Sequence, residues 1–205
     1  MPSEAVAAFD FDGTLCRGDS LVPFLRRWCG DRALAVALGR TWRHLARLPR
    51  GGEFRDRAKE ALLRELLPGR PAEPARALAL AYAEQLDSRL RIDVLARLRW
   101  HQAQGHEVVI VSASPALYLA PLGDRLGVDA VLATRLVEAD GVFTGALDGA
   151  NCRGPEKERR LLAWLDGRSV DLYAYGDSTG DDELLAMADV RVRVTKRALP
   201  PSPRT

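Results

Sequence analysis

AVAAFDFDGTL, residues Ala5–Leu15, is an apolar run that ends in two aspartates one residue apart. Val6–Phe11 has the length of a buried strand, and Gly13 and Thr14 break it. Side chains two apart on a strand share a face, so Asp10 and Asp12 leave the strand end on the same side unless the turn re-aims Asp12. Paired carboxylates at the end of a buried strand are costly unless a positive group meets them. In an open α/β sheet that edge is also where ligands bind. The pair therefore suggests a hard divalent cation held by oxygen, most simply Mg²⁺. The plain alternative is a charged strand-to-loop turn with no chemistry.

Downstream the chain shows two patterns. Residues 16–86 read as helix upon helix with no strand between them: Leu21–Trp28, Arg32–Leu48, Glu53–Leu67 and Pro71–Leu86, punctuated by Gly30-Asp31, Arg50-Gly51-Gly52 and Pro68-Gly69. Residues 87–205 alternate instead. The order is helix Ser88–Gln104, strand His106–Val111, helix Pro115–Leu126 and a short strand-like Ala130–Ala133. A hairpin over Leu136–Leu147 turning at Asp140-Gly141 follows, then helix Pro155–Leu165, strand Val170–Tyr175, helix Asp181–Ala188 and strand Val190–Val194. Strands alternating with helices predict a parallel sheet. The expected organisation is an α/β core of residues 1–15 and 87–205, with residues 16–86 inserted after the first strand as a small all-helical cap.

Bulk properties narrow the function. At 205 residues and 47% hydrophobic content the chain has ample material for one core. A net charge of +2 gives no global field directed at nucleic acid. The three cysteines, Cys16, Cys29 and Cys152, are odd in number and irregularly spaced, which argues against a disulfide framework or a zinc site and fits a reducing, cytoplasmic setting. The three histidines show no ligand spacing. The N-terminus lacks a signal-peptide pattern, and no apolar run is long enough to span a bilayer. One local charge pattern stands out. Arg40, Arg43, His44 and Arg47 fall on one side of the Arg32–Leu48 helix with Trp42 beside them, either a solvated face or a peripheral contact with an anionic surface such as phospholipid head groups.

Other predicted strand ends and helix starts carry polar groups. One strand ends in Ser112-Ala113-Ser114, Lys157 sits in the first turn of a helix in Gly154-Pro155-Glu156-Lys157, and a later strand ends in Gly176-Asp177-Ser178-Thr179-Gly180-Asp181-Asp182. If the strands are parallel, all these groups share one edge with Asp10 and Asp12. The carboxylates suit a divalent cation; the lysine and the hydroxyl suit a phosphate. Taken singly each has a bland reading: Ser112 as a helix cap, Lys157 as a surface charge, Asp177 and Asp181 as caps of the following helix.

Asp10-Phe-Asp12-Gly-Thr14, Val-Ser112-Ala-Ser, Gly-Pro-Glu-Lys157 and Gly-Asp177-Ser-Thr-Gly-Asp181, in this order, resemble the four motifs of the haloacid dehalogenase superfamily. The helical insert and the Asn151-Cys152 stretch look like its phosphoserine-phosphatase-like branch. The run Ser112–Pro115 is similar to bacterial members that include phosphatidylglycerophosphate phosphatases. The resemblance implies a Rossmann-like core with a helical cap and a Mg²⁺-dependent phosphomonoester hydrolase. In it Asp10 is the nucleophile that becomes an aspartyl-phosphate, and Asp12 protonates the leaving alkoxide and then activates water. Asp10, the Asp12 carbonyl and Asp177 hold Mg²⁺, Ser112 and Lys157 bind phosphoryl oxygens, and Asp181 positions metal waters or Lys157. The second aspartate sets the chain apart from dehalogenase members and favours phosphatase or phosphomutase chemistry; the all-helical cap makes the mutase the minor of these.

The resemblance also bears on specificity. Asp19 lies where phosphoserine phosphatases carry an acidic residue for the substrate's amino group. Aligning Leu62-Leu63 places Lys59 at the cap cation for its carboxylate, with Arg55 and Arg57 nearby. Gly180 stands where those enzymes often have Asn. The expected substrate is a small phosphate ester such as phosphoserine. The alternatives are a phosphatidylglycerophosphate-type lipid head group, or a non-catalytic binding protein on the same fold.

Overall fold

The computed structural model of the protein describes residues 4–45 and 52–200, with all their side chains apart from those of residues 43–45, 52 and 53. In chain order the elements are β1 (Ala5–Phe9), α1 (Leu21–Cys29), α2 (Asp31–Leu45), α3 (Gly52–Leu66), β2 (Arg70–Pro71), α4 (Ala72–Leu86) and α5 (Ile92–Ala103). There follow β3 (Glu107–Pro115), α6 (Ala116–Leu126), β4 (Ala130–Ala139), β5 (Val142–Asp148), α7 (Pro155–Leu165), β6 (Asp171–Gly176), α8 (Asp182–Ala186) and β7 (Val190–Arg193). Among the described residues the strands form one seven-stranded sheet in the order β2-β5-β4-β3-β1-β6-β7.

β1 lies between β3 and β6 and runs parallel to both. Its successor in the sheet is on one side and a much later strand on the other, so the chain crosses over at β1, the arrangement that opens a crevice at the strand's carboxyl end. Val6 to Phe9 are all fully buried because both faces of the sheet are covered. Strand alternation sorts them: Val6 and Ala8 join Val109, Val111, Leu172 and Ala174 against α7 and α8, while Ala7 and Phe9 join Val108, Ile110 and Tyr175 against α5 and α6. A third cluster lies among the other helices, with Leu25, Leu34, Leu63 and Leu66 closing over Phe143 of β5. α4 spans two clusters. Ala72 and Ala75 face the third, while Ala79, Tyr82, Ala83 and Leu86 pack with the α5–α6 side of the sheet.

The structure departs from the sequence reading at four places. A strand does interrupt residues 16–86: Arg70 and Pro71 pair antiparallel with Phe143 and Val142, a partnership created by a segment some seventy residues on. The sheet is therefore parallel from β4 through β7 but antiparallel at β4–β5–β2. The helix expected from Ser88 begins at Ile92, after a 3-10 turn at Asp87–Arg89. Its first donor is diverted, since Arg91 N–H bonds the Leu15 carbonyl at 2.8 Å and Leu90 bridges Cys16. β3 continues past Ser112 to Pro115 with a register shift between those residues, and β4 runs on to Ala139 to supply the hairpin. That hairpin turns at Asp140 and Gly141 with φ of 50° and 75°, the left-handed pair that an Asp-Gly turn predicts.

Candidate active site

β1 ends where the Asp10 N–H bonds the Tyr175 carbonyl at 2.9 Å. The chain then folds on itself: Cys16 N–H reaches the Phe11 carbonyl at 2.8 Å, and Gly13 N–H reaches the Cys16 carbonyl at 2.9 Å. Gly13 has φ of 85°, and a Cβ there would lie 2.3 Å from Asp177 Oδ2. Glycine is thus required twice, for the backbone and for the seat of Asp177. This turn re-aims Asp12. Asp10 Oδ1 accepts from Lys157 Nζ at 2.5 Å, whereas Asp12 Oδ2 accepts from Ser114 Oγ at 2.6 Å and Ser20 Oγ at 3.0 Å.

Lys157 reaches the strand end from the first turn of α7, where Pro155 opens the helix. Lys157 is 1% exposed, and its ammonium also bonds Asp181 Oδ1 at 2.6 Å. The other oxygen of Asp181 accepts from the N–H groups of Asp177 and Ser178 at 3.1 and 2.9 Å and from Ser178 Oγ at 3.1 Å. Asp181 therefore closes the turn that precedes it and holds Lys157, and its side chain makes no cap bond to the start of α8, contrary to the helix-cap reading. Burial disfavours the Lys157 charge, but Asp10 and Asp181 outweigh that and raise its pKa. Burial alone would raise Asp181, yet Lys157 and the Ser178 donors leave it lowered. Asp10 is pushed up to about 7, mainly by burial, with Lys157 opposing and Asp181 and Asp12 adding to the rise. Asp177 is also raised, by burial and then by Asp181.

Carboxylate oxygens of Asp10, Asp177 and Asp181 lie within 4.8 Å of one another. Both Asp181 oxygens are engaged, which leaves Asp10 and Asp177 as the groups placed to face an ion. The donors are hard oxygens, three carboxylates that share one lysine, and this set fits a hard divalent cation. The Asp12 carboxylate lies outside the cluster, so a contribution from Asp12 falls to its main-chain carbonyl.

Asp12 is held by Ser114, which lies in the motif run without an assigned role, and by Ser20, which the motifs do not include. Ser20 Oγ lies 2.8 Å from the Tyr118 hydroxyl and 3.1 Å from Ser114 Oγ, and Tyr82 donates to the Ser20 carbonyl at 2.8 Å. Asp12 Oδ1 is buried and has no hydrogen-bond partner. Burial raises the pKa of Asp12 against the pull of Ser114 and Ser20. Ser112 is 1% exposed, and its Oγ accepts from the Ser114 N–H at 3.1 Å. The signal for Ser114 was its place two residues beyond Ser112, whereas Ser20 and Tyr118 carry no local mark.

Asp10, Asp12, Ser112, Lys157 and Asp177 line a cleft of about 410 Å³, bordered by Asp19, Arg55 and Lys59 from the helical segment. Asp19 Oδ2 accepts from the Val22 N–H at 2.8 Å in the first turn of α1. The Lys59 ammonium donates to the Ala113 carbonyl and, at 2.6 Å, to Asn151 Oδ1. Arg55, one turn earlier on α3, is exposed. Of the basic face expected on α2, Arg40 pairs with Glu65 and Trp42 is 56% exposed. The side chains of Arg43 and His44, and all of Arg47, lie outside the described residues. Among the described residues no helix is long and apolar enough to cross a membrane.

Residues 7–186 match the haloacid dehalogenase-like hydrolase family, and the chain belongs to it. The protein CicA of Caulobacter vibrioides is 42% identical over 190 residues, 90% of this chain and 83% of that protein. A phosphoserine phosphatase of Mycobacterium tuberculosis, SerB1, is 29% identical over 95% of this chain and 66% of its own. Among solved structures, a substrate-bound phosphoserine phosphatase superposes with a TM-score of 0.65 at 17% identity, covering 93% of this chain and 86% of that one. The last likeness concerns the fold.

Proposed function

We propose that this hydrolase is a Mg²⁺-dependent phosphomonoesterase acting through an aspartyl-phosphate on Asp10, with residues 16–86 serving as a cap over the cleft. The observation that carries the reading is the divergence of the two aspartates. Asp10 has one oxygen fixed by Lys157 and the other left for attack on phosphorus. Asp12, two residues on, has one oxygen held by serines and the other buried and unpartnered. Burial raises its pKa and so eases its protonation; the protonated form gives a proton to the departing alkoxide, and the resulting carboxylate then takes one from water. Lys157 and the Ser112 hydroxyl serve as donors to the phosphoryl oxygens in this reading. Asp10 and Asp177 would hold Mg²⁺, whose charge would stabilise the transferring group.

The substrate we infer is a small phosphometabolite such as phosphoserine, with Asp19 and Arg55 as the charged groups nearest its distal end. Phosphate release from p-nitrophenyl phosphate with Mg²⁺ and with chelator, for wild type, Asp10→Asn and Asp12→Asn, tests the core claim. Asp10→Asn abolishes release, and Asp12→Asn lowers it about 10²–10⁴-fold. Turnover by Asp10→Asn near the wild-type rate would exclude the covalent route. A second reading, a lipid head-group phosphatase, draws on Val36, Leu38 and Trp42, which α2 exposes. Salt-sensitive sedimentation with anionic vesicles separates it from the first.

A further inference from the structure

We propose that Lys59 is a positioning residue that ties α3 to the Ser112–Ser114 run and thereby sets Ser112 and Asp12 for the reaction. The assignment rests on the phosphatase reading for its catalytic half and on geometry for the tie itself.

Lys59 is the centre of a closed polar net. An ammonium only donates, so the oxygen of the Asn151 amide must face it, and the NH₂ end is left to donate to Asp56 Oδ1 at 2.6 Å. Asn151 Oδ1 also accepts from Thr134 Oγ1 at 2.8 Å, and Thr134 Oγ1 in turn accepts from the Cys152 N–H at 3.0 Å. Two residues of α3, one each of β3 and β4, and the turn before α7 thus meet at one point. Buried nets of this kind fail together, because removing one member leaves its neighbours unpaired.

The point of contact on β3 matters most. β3 pairs Ser112 with Ala133 and then Pro115 with Thr134, so Ala113 and Ser114 fall in the register shift and are outside the regular ladder. The Lys59 ammonium supplies a donor to the Ala113 carbonyl there. Ala113 sits between the two working serines. Ser114 binds Ser112 Oγ through its N–H and Asp12 through its hydroxyl, so a displacement of this bulge disturbs the phosphate-side hydroxyl and the acid–base carboxylate together.

Thr134 provides the decisive test because it is fully buried and its hydroxyl is linked to Lys59 through Asn151. Lys59→Met and Thr134→Val are expected to lower kcat for p-nitrophenyl phosphate, which has no distal anion, by about ten- to a hundredfold, with KM changed by less than about threefold. Thr134→Ser, which keeps the hydroxyl and loses the methyl, stays near wild type, and Lys59→Met/Thr134→Val is no worse than Lys59→Met. Amide hydrogen exchange over residues 112–114, which needs no turnover, accelerates in Lys59→Met and Thr134→Val but not in Thr134→Ser. Unchanged kcat, a defect confined to KM for substrates with a distal anion, or equal damage from Thr134→Ser and Thr134→Val would overturn the positioning role. Unchanged exchange would overturn the tie. A wild type inert toward every phosphomonoester would instead overturn the phosphatase reading and the catalytic half of this assignment, leaving exchange to decide the tie.

Discussion

A buried lysine and a half-buried one serve the same cleft, and their partners differ in kind. Lys157, on the sheet side, is held between the carboxylates of Asp10 and Asp181. Lys59, on the α3 side, is held by the neutral oxygens of Ala113 and Asn151. Burial penalises both charges, but only Lys157 has anions in contact to repay it, and its pKa is raised. That of Lys59 is lowered to about 8 by burial, with Asp56, Cys152 and Asp12 opposing and Arg160 assisting. Burial alone therefore does not set the charge of a buried base; the formal charge of its hydrogen-bond partners does. One wall of the cleft carries a fixed charge, and the other carries a charge close to its titration point.

The comparison breaks most forcefully at Lys157. Lys157→Met leaves Asp10, Asp181 and Asp177 facing one another without a cation from the protein. Loss of a phosphate donor and of the buried pair is expected to lower kcat by about 10³-fold or more. The variant should also melt well below wild type in chelator and recover part of the difference in Mg²⁺, because the ion then replaces the missing charge. Calorimetry with and without Mg²⁺ checks this; a variant as stable as wild type in chelator would show that the carboxylates do not depend on Lys157.

A smaller effect belongs to the other wall. Lys59 is protonated below about pH 8 and loses its charge as pH rises through that value. Activity should therefore fall several-fold on the alkaline side of about pH 8 in wild type, while the much slower Lys59→Met shows no such limb. An identical alkaline limb in both proteins would assign it to another group.

The smallest effect extends the rule to a third base. His101 is fully buried on the α5 side of the sheet, with its ring nitrogens 2.8 Å from His106 Nδ1 and from the Tyr175 hydroxyl, and no carboxylate in contact. Burial, then His106 and Arg97, push it down from 6.5 to about 3. The unfolded chain takes up this proton at the higher pH, so the associated stability is intact above about pH 6.5 and is lost progressively as pH falls toward 3. The slope is at most about 1.4 kcal/mol per pH unit. Urea unfolding at a series of pH values should show a shallower acid dependence in His101→Phe than in wild type.

What the chain revealed before folding was what local chemistry controls. β1 and its two aspartates, the Asp-Gly hairpin, and α7 with Pro155 at its start and Lys157 in its first turn each follow from a few neighbouring residues. β2 was invisible because two residues, one of them proline, have no strand pattern of their own and are strands only against Phe143 and Val142. The start of α5 was misplaced because its backbone donors serve the loop after β1. At the site, the motif residues were legible as types and spacings, but the groups that aim them were not. Asn151, Thr134, Ser20 and Tyr118 work through partners that lie eight to ninety-eight positions away in sequence, and no periodicity encodes such a meeting.

The ends of the sheet have a consequence for how the protein behaves in a crowd. An open sheet has two unpaired rims, each able to recruit a strand from another molecule. Here one rim is β2, two residues long and including Pro71, which has no N–H to offer. The other is β7, four residues in which Arg191 and Arg193 alternate with valines. Neither rim offers a long, flat, uncharged template, so growth of the ladder by addition of further chains is discouraged at both sides.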